Sequence, residues 1–252
     1  MNRLTLALDV MGGDIGPRIT IPASLSALEA DPMLSLVLFG DSQQISPLLE
    51  NAPSSLLERI QIHHCTKTID NNQGISHALR HSKGTSMRLA IEMVQKGEAK
   101  GCVSAGNTGA LMGLSKVLLQ PLEGIQRPAL VSLLPSMTDD KTVMLDLGAN
   151  VECSAQNLYE FAVMGSIFAE NRLNLVYPRI ALLNIGEEEI KGHQSIREAA
   201  NLLEKSTALN YTGFIEGNFL LNGVADVIVS DGFSGNIALK TLEGAAKNLL
   251  SL

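Results

Sequence analysis

The sequence has few cysteines and no run of basic residues. Its three cysteines, Cys65, Cys102 and Cys153, are widely spaced and odd in number, so we predict neither a zinc site nor a disulfide framework. They are typical of the reduced thiols of a cytoplasmic protein. The 26 acidic residues outnumber the 19 basic ones, for a formal net charge of -7. This balance argues against a nucleic-acid partner, which would need a basic track along the surface.

Long apolar runs are also missing. No stretch approaches the roughly 20 apolar residues that span a bilayer, and the N-terminal segment MNRLTLALDVMGGD is too short in apolar residues for a secretion signal. We therefore expect a cytoplasmic protein. Hydrophobic residues make up 45% of the chain and charged residues 18%, which predicts a folded chain with a substantial core.

Several common functional motifs are absent. The chain contains neither the dinucleotide fingerprint G-x-G-x-x-G nor a P-loop, and Ser104 does not lie in a G-x-S-x-G nucleophile elbow. No metal-ligand spacing relates the five histidines, His63, His64, His77, His81 and His193. We therefore predict no metal and no nucleotide cofactor.

Short apolar runs alternate with stretches of helical periodicity. The predicted strands are Leu4 to Val10, Leu34 to Phe39, Ile60 to His64, Gly101 to Ser104, Ala129 to Leu134, Val143 to Leu147, Ile180 to Ile185, Gly213 to Glu216 and Asp226 to Ser230. The clearest predicted helices are Thr85 to Lys96, Thr108 to Leu119, Ala155 to Glu170, Ser195 to Leu203 and Asn236 to Leu252. This alternation predicts an α/β fold with a mainly parallel sheet covered by helices on both faces.

Five predicted strands end in turns rich in glycine and small polar residues. These turns are Asp9 to Asp14, Ser104 to Gly109, Asp146 to Asn150, Asn184 to Glu189 and Ser230 to Asn236. Glycine lets backbone N–H groups approach a ligand closely, and a following helix adds its positive end, which suits an anion such as phosphate. One such turn is usually a tight corner, but five at one sheet edge predict a binding site.

Individual side chains in and near these turns leave alternatives open. Lys191 could neutralise phosphate or a developing oxyanion, or be an ordinary surface lysine. Ser104 is expected to cap the turn that follows it rather than act as a nucleophile. The carboxylates of Glu187 to Glu189 could supply a general base, although such runs are usually solvated. Arg88 could reach phosphate from a helix start or pair with a nearby carboxylate.

The segments LALDVMGGD, GTSMRLA, SAGNTGALMG, LDLGAN, LNIGEEEIKG and SDGFSGNIALKTLEG together resemble the phosphate acyltransferase family of bacterial phospholipid synthesis, from Leu4 to the end of the chain. The resemblance implies a three-layer α/β/α sandwich related to phosphotransacetylases and isopropylmalate dehydrogenases. It implies transfer of a long acyl chain from acyl carrier protein to inorganic phosphate, without a cofactor. It also implies a homodimer with peripheral contact to the inner face of the membrane.

Relatives in that family continue through further strands and helices. We therefore expect residues 1–252 to form a single α/β domain that lacks the C-terminal part usual in the family.

In the mechanism that we expect, phosphate attacks the thioester carbonyl directly and no acyl-enzyme forms. Gly12, Gly13, Asn107 and Thr108 hold phosphate, and Lys191, Asn184 and Asn236 stabilise the oxyanion. The candidate catalytic residues are Lys191, Asn184, Asn236 and Asp231. The candidate phosphate- and substrate-binding residues are Asp9, Gly12, Gly13, Asp14, Arg88, Ser104, Gly106, Asn107, Thr108, Asp146 and Asn150. Among them, Asp9, Asp146 and Asp231 are expected mainly to orient donors and loops.

Two alternative functions stay open at this point. One is an acetyl-type phosphotransacetylase that uses coenzyme A, and the other is a non-catalytic module that binds acyl carrier protein or lipid. A nicotinamide dehydrogenase of related fold ranks lower because its cofactor and metal motifs are missing.

Overall fold

A computed structural model describes residues 3–138, 140–188 and 190–251. The chain divides into two compact units, Met1–Gln120 and Pro121–Leu252, named unit 1 and unit 2. Each contains its own sheet, and each is described by itself. The single domain predicted over residues 1–252 stays a prediction.

Unit 1 is built on a parallel sheet with strand order β3-β2-β1-β4. Its elements are β1 Leu4–Asp9, α1 Pro17–Ala30, β2 Leu34–Gly40, α2 Ser42–Leu49, α3 Ser54–Leu57, β3 Ile60–His64, α4 Ile75–His81, α5 Ser86–Gln95, β4 Gly101–Ser104 and α6 Thr108–Leu119. Alternate residues of β2 face opposite layers: Leu36 and Leu38 join the core cluster that includes Ile21 of α1, whereas Val37 joins the cluster that includes Ala90 of α5. Helices therefore cover both faces of this sheet.

Unit 2 is built on a sheet with strand order β5-β6-β9-β7-β8, in which only the β5–β6 pair is antiparallel among the described strands. Its elements are β5 Val131–Pro135, β6 Lys141–Leu145, α7 Ala155–Leu173, β7 Arg179–Leu183, α8 Gln194–Glu204, β8 Asn210–Ile215, a 3-10 turn Gly217–Phe219, β9 Val227–Val229 and α9 Gly232–Leu250. Val227 of β9 packs in the cluster that includes Phe161 of α7, and Ile228 packs in the cluster that includes Leu239 of α9. This sheet too has helices on both faces, so the α/β/α layering is confirmed.

The strand and helix predictions are confirmed, with bounds that differ by a few residues. The expectation that five turns share one sheet edge is wrong. The turns after β1 and β4 belong to the sheet of unit 1, and those after β6, β7 and β9 belong to the sheet of unit 2. Periodicity identifies a strand but not its hydrogen-bonding partner, which is why the sequence did not separate the two sheets.

Candidate functional site

In unit 1, the turns after β1 and β4 are joined by a hydrogen-bonded chain. Ser104 Oγ donates to Asp9 Oδ2 at 2.7 Å and accepts from the Gly106 N–H at 3.1 Å. Asp9 is buried, and its Oδ1 atom has no hydrogen-bond partner in the described part of the chain. Ser104 therefore caps its turn, as expected, and Asp9 fixes the position of that serine.

Gly12 permits the two turns to approach each other closely. A Cβ atom at Gly12 would lie 2.7 Å from the Gly106 nitrogen and 2.9 Å from Asp9 Oδ2. Gly13 has φ +88°, in the left-handed region that favours glycine. Within the described residues, the backbone N–H groups of Gly12, Gly13 and Asp14 donate to no carbonyl. Free N–H groups at a glycine turn support the predicted phosphate-binding role, which stays a prediction.

Two of the predicted phosphate ligands in unit 1 make structural contacts. Asn107 caps α6: its Oδ1 accepts from the Ala110 N–H at 2.9 Å, and its Nδ2 donates to the Asn71 and Gln73 carbonyls. Asp14 Oδ1 accepts from Asn71 Nδ2 at 3.0 Å. Because the side-chain donors of Asn107 are occupied, its backbone N–H is the group left for an anion. Thr108 begins α6 directly after this cap.

Arg88 adopts the ion-pair arrangement left open by the sequence. Its Nε lies 2.6 Å from Glu92 Oε1, one helical turn along α5, and its Nη1 donates to Ser82 Oγ at 3.0 Å. These contacts hold the guanidinium against its own helix. A phosphate contact from Arg88 stays a prediction and would compete with this pair.

In unit 2, Asp146 organises the turn after β6. Its carboxylate is fully buried, and it accepts hydrogen bonds from five donors: the backbone N–H groups of Leu130, Gly148, Ala149 and Asn150, and Asn150 Nδ2. Asn150 Nδ2 also donates to the Pro128 carbonyl at 2.8 Å. Asp146 therefore orients a loop, as expected, and the contacts of Asn150 stabilise the same loop.

The start of α9 packs directly on the Asp146 turn. Asp231 caps the helix by accepting from the Ser234 N–H at 2.7 Å. The Gly232 N–H donates to the Asn150 carbonyl at 2.8 Å, and a Cβ at Gly235 would fall on the Asp146 carbonyl oxygen. Asn236, the fifth residue of α9, is exposed, and a Cβ at Gly148 would lie 3.5 Å from its side chain. The helix N-terminus and Asn236 are thus held at the carboxyl ends of β6 and β9.

The loop after β7 places Asn184 and Lys191. Asn184 is buried, and its Nδ2 donates to the Lys191 carbonyl at 3.2 Å, while its Oδ1 has no partner within the described residues. Gly192 has φ +86°, and a Cβ there would strike Asn184 Oδ1. A buried amide oxygen without a donor costs about 1–3 kcal/mol, so Asn184 Oδ1 is a candidate acceptor for a ligand N–H or O–H. The predicted donation from Asn184 to an oxyanion would use the second hydrogen of Nδ2 and stays a prediction.

Lys191 forms an exposed ion pair with Glu188. Its Nζ lies 2.8 Å from Glu188 Oε1, and the two side chains are 45% and 59% exposed. The hydrogen bond from Lys191 lowers the pKa of Glu188, and the same contact raises the pKa of Lys191. Lys191 is therefore a cation at neutral pH, which suits the stabilisation of negative charge rather than proton abstraction. Glu187 is also exposed, in keeping with the solvated alternative, and Glu189 lies outside the described residues.

Replacing Glu188 by glutamine should lower the pKa of Lys191, because the largest cause of its elevation is the hydrogen bond to that carboxylate. An NMR titration of the lysine side chain should place the wild-type pKa above the ordinary 10.5 and the Glu188→Gln value below that of the wild type. The pair stabilises the fold below the pKa of an unfolded lysine and loses this effect as pH rises through the raised value. On the acid side, the effect is present above the pKa of an unfolded glutamate and is lost as pH falls through the lowered value of Glu188.

Glu187→Gln provides the matched control, since it removes a neighbouring exposed carboxylate. It should change the pKa of Lys191 less than Glu188→Gln does. Equal Lys191 pKa values in the wild type and Glu188→Gln would show that the ion pair does not form in solution.

Two clefts open at the carboxyl edge of the unit 2 sheet. One, of about 430 Å³, is lined partly by Asn184, Gly192, His193 and Ser234. The other, of about 590 Å³, is lined partly by Asp231, His193 and Ser234. Both clefts are lined by His193 and Ser234, so the loop after β7 and the start of α9 contribute to the walls of each. The sequence analysis did not select His193 or Ser234 as site residues. Their positions could have identified them, because His193 directly follows Gly192 and Ser234 lies three residues after Asp231.

In unit 1, the sequence analysis likewise did not select Arg18. This exposed residue is the second of α1, directly after the turn that contains Gly12 and Gly13. A basic residue at the start of a helix that follows a glycine-rich turn is a candidate anion ligand. The sequence signal was its position two residues after Gly16.

The cysteines are poor nucleophiles. Burial raises the pKa of Cys65 to about 11, of Cys102 to about 12 and of Cys153 to about 11. Cys153 lines the larger cleft, yet with such a pKa only on the order of one molecule in ten thousand carries its thiolate at pH 7.

Within the described residues, no cluster of three or more histidine, cysteine or acidic side chains is placed to hold a metal ion. None of the helices described combines the length and apolar character needed to cross a bilayer.

Solved structures share this fold. A phosphotransacetylase from Streptococcus pyogenes matches with a TM-score of 0.69 at 19% identity, covering 97% of this chain and 82% of its own. A phosphotransacetylase from Staphylococcus aureus matches with a TM-score of 0.68 at 17% identity, over 97% of this chain and 83% of its own. These likenesses confirm the predicted fold class.

Sequence comparison gives closer relatives. Proteins named phosphate acyltransferase from Pasteurella multocida and Mannheimia succiniciproducens are 79% and 77% identical over the whole of this chain, which spans 74% and 75% of their lengths. A family model described as fatty acid synthesis protein matches residues 4–252. The resemblance predicted from the sequence motifs is confirmed: this chain belongs to the fatty acid synthesis protein family, among enzymes named phosphate acyltransferase.

Proposed function

We propose that this chain transfers a long fatty acyl group from acyl carrier protein to inorganic phosphate and so supplies acyl phosphate for phospholipid synthesis. The observation that carries the proposal is 79% identity, over the full chain, to a protein named phosphate acyltransferase. A phosphate oxygen forms a bond to the thioester carbonyl carbon, the carbon–sulfur bond breaks, and the carrier thiol leaves with a proton.

Residues of the loop after β7 and of the start of α9 support stabilisation of the tetrahedral intermediate. Lys191 is a cation on an exposed side chain, so it can turn from Glu188 toward a substrate without leaving a buried charge unpaired. Ser234 and Asn184 line one cleft, and Asn236 is the fifth residue of α9. Donors held in advance at the point where charge develops are usually the largest single contribution to such a reaction.

Neither Cys153 nor Ser104 is an activated nucleophile, which agrees with direct attack by phosphate. The Cys153 thiol is almost wholly protonated at neutral pH because burial raises its pKa to about 11. Ser104 Oγ is occupied in its turn, between Asp9 and the Gly106 N–H. We assign phosphate binding to the free N–H groups at Gly12 and Gly13, with Arg18 as a further candidate.

The second candidate function is transfer of an acetyl group from coenzyme A, which the names of the structural neighbours favour. A comparison of donors separates the two. With phosphate present, we expect palmitoyl-acyl carrier protein to yield acyl phosphate, trapped as a hydroxamate, at a kcat/KM far above that for acetyl-coenzyme A. The reverse preference would select the phosphotransacetylase alternative.

We also propose a cytoplasmic homodimer that contacts the inner face of the membrane peripherally. The support is the motif resemblance that predicted the family, since these properties are implied by that family alone. Light scattering of the purified chain, together with flotation on anionic lipid vesicles, tests both: a monomeric mass, or a chain that stays with the soluble fraction, would overturn the corresponding part.

A further inference from the structure

The smaller of the two clefts at the carboxyl edge of the unit 2 sheet has mainly apolar walls. Leu183 and Ile185 contribute from the end of β7, and Ile196 contributes from α8. Gly217, two residues after the end of β8, also lines this cleft and contributes no side chain. The cleft holds about 430 Å³, within the size range of small-molecule sites.

One candidate catalytic residue, Asn184, lines this cleft. Its polar lining consists of Asn184, His193 and Ser234, which belong to the loop that carries Lys191 and to the first turn of α9. Ligands of parallel α/β sheets bind outside the carboxyl ends of the strands, and β7 and β8 end here. An apolar group bound in the cleft would therefore start beside the proposed oxyanion donors.

We propose that this cleft binds methylene groups of the acyl chain beyond its fourth carbon, which a butyryl donor lacks, and thereby sets the preference for long over short acyl donors. The inference rests on the proposed function and extends it to the part of the substrate that does not react. The pantetheine arm of the carrier is a poorer occupant, because the walls of the cleft are mainly apolar and an amide buried without a hydrogen-bond partner costs free energy. Each methylene removed from water contributes up to about fourfold in affinity.

Gly217 provides a direct test, because a Cβ atom there would meet no heavy atom within 4 Å and its φ is not in the left-handed region. Gly217→Leu therefore places a side chain in open space at the cleft wall. We expect the ratio of kcat/KM for palmitoyl- and butyryl-acyl carrier protein to fall at least about tenfold, since the new side chain displaces two or more methylenes.

Gly244→Leu is the matched control. Gly244 lies on α9, where an added Cβ atom would also meet nothing within 4 Å, and it is outside the lining of the cleft. This variant should keep the wild-type ratio. Thermal unfolding of both variants then separates a changed preference from a damaged fold.

A second pair of variants tests the apolar rim. Ile185 is 78% exposed and Val176 is 95% exposed, so serine at either position should leave the fold intact. Ile185→Ser should lower the palmitoyl-to-butyryl ratio, and Val176→Ser should not.

The outcomes distinguish the inference from the function on which it rests. An active wild type whose chain-length ratio is unchanged in both Gly217→Leu and Ile185→Ser would overturn the inference and leave the proposed function standing. An equal loss with both donors would assign the cleft to the carrier arm instead, which also overturns it. A wild type inactive with every acyl donor would overturn the proposed function itself.

Discussion

Replacing Lys191 by alanine should lower kcat/KM for acyl transfer by about 100-fold or more, the size of effect that follows loss of one preorganised oxyanion donor. The pKa of Lys191 is raised by its hydrogen bond to Glu188, so the wild-type side chain is charged throughout the neutral range. Lys191→Met, which keeps most of the aliphatic stem, should lose nearly as much activity as Lys191→Ala. Steady-state kinetics with palmitoyl-acyl carrier protein measures both.

The chain contains a closely matched control for this substitution. Lys240 and Glu243 form an exposed ion pair with the same i,i+3 spacing and the same 2.8 Å distance as Lys191 and Glu188. Lys240→Ala should leave kcat/KM unchanged, because it removes the same kind of surface pair from the middle of α9, outside the lining of both clefts. Equal kinetics for Lys191→Ala and Lys240→Ala would show that Lys191 is only a surface lysine.

Replacing Gly235 by alanine should destabilise unit 2 by about 3 kcal/mol, near the upper end of the usual cost of overpacking. The added methyl would fall on the Asp146 carbonyl oxygen and lie 2.6 Å from Ser230 Oγ. That hydroxyl donates to the same carbonyl in the buried interior. The start of α9 would have to move away from the turn that Asp146 holds, and Asn236 would move with it.

Urea unfolding of Gly235→Ala beside Gly244→Ala measures this effect. Gly244 is an exposed glycine within α9 with open space around it, so alanine there should raise stability by about 0.5–1 kcal/mol through helix propensity. A Gly235→Ala midpoint at or above that of the wild type would contradict the close packing of α9 on the Asp146 turn.

The strands could be predicted because short apolar runs between glycine, aspartate and proline are a strong local signal. Helices α1 and α2 were not predicted. Each contains an internal proline, Pro22 or Pro47, which usually argues against a helix. In α1 the buried positions Ile21, Ser24 and Leu28 keep the helical spacing, so tertiary packing outweighed the local preference.

The candidate site was predictable in outline but not in its contacts. Glycine and aspartate at strand ends marked the turns, since both act through the local backbone. That Asp146 also accepts from the Leu130 N–H, or that Asn107 Nδ2 donates to the carbonyls of Asn71 and Gln73, depends on residues distant in sequence. The apolar cleft left no motif, because Leu183, Ile196 and Gly217 come from three separate elements.

The central claim is that phosphate itself accepts the acyl group. The most direct measurement is release of carrier thiol from palmitoyl-acyl carrier protein by this chain, with and without inorganic phosphate. We predict continuous release that requires phosphate and yields one acyl phosphate per thiol. Binding of the acyl carrier protein without thiol release, or release at the same rate in the absence of phosphate, would contradict the account.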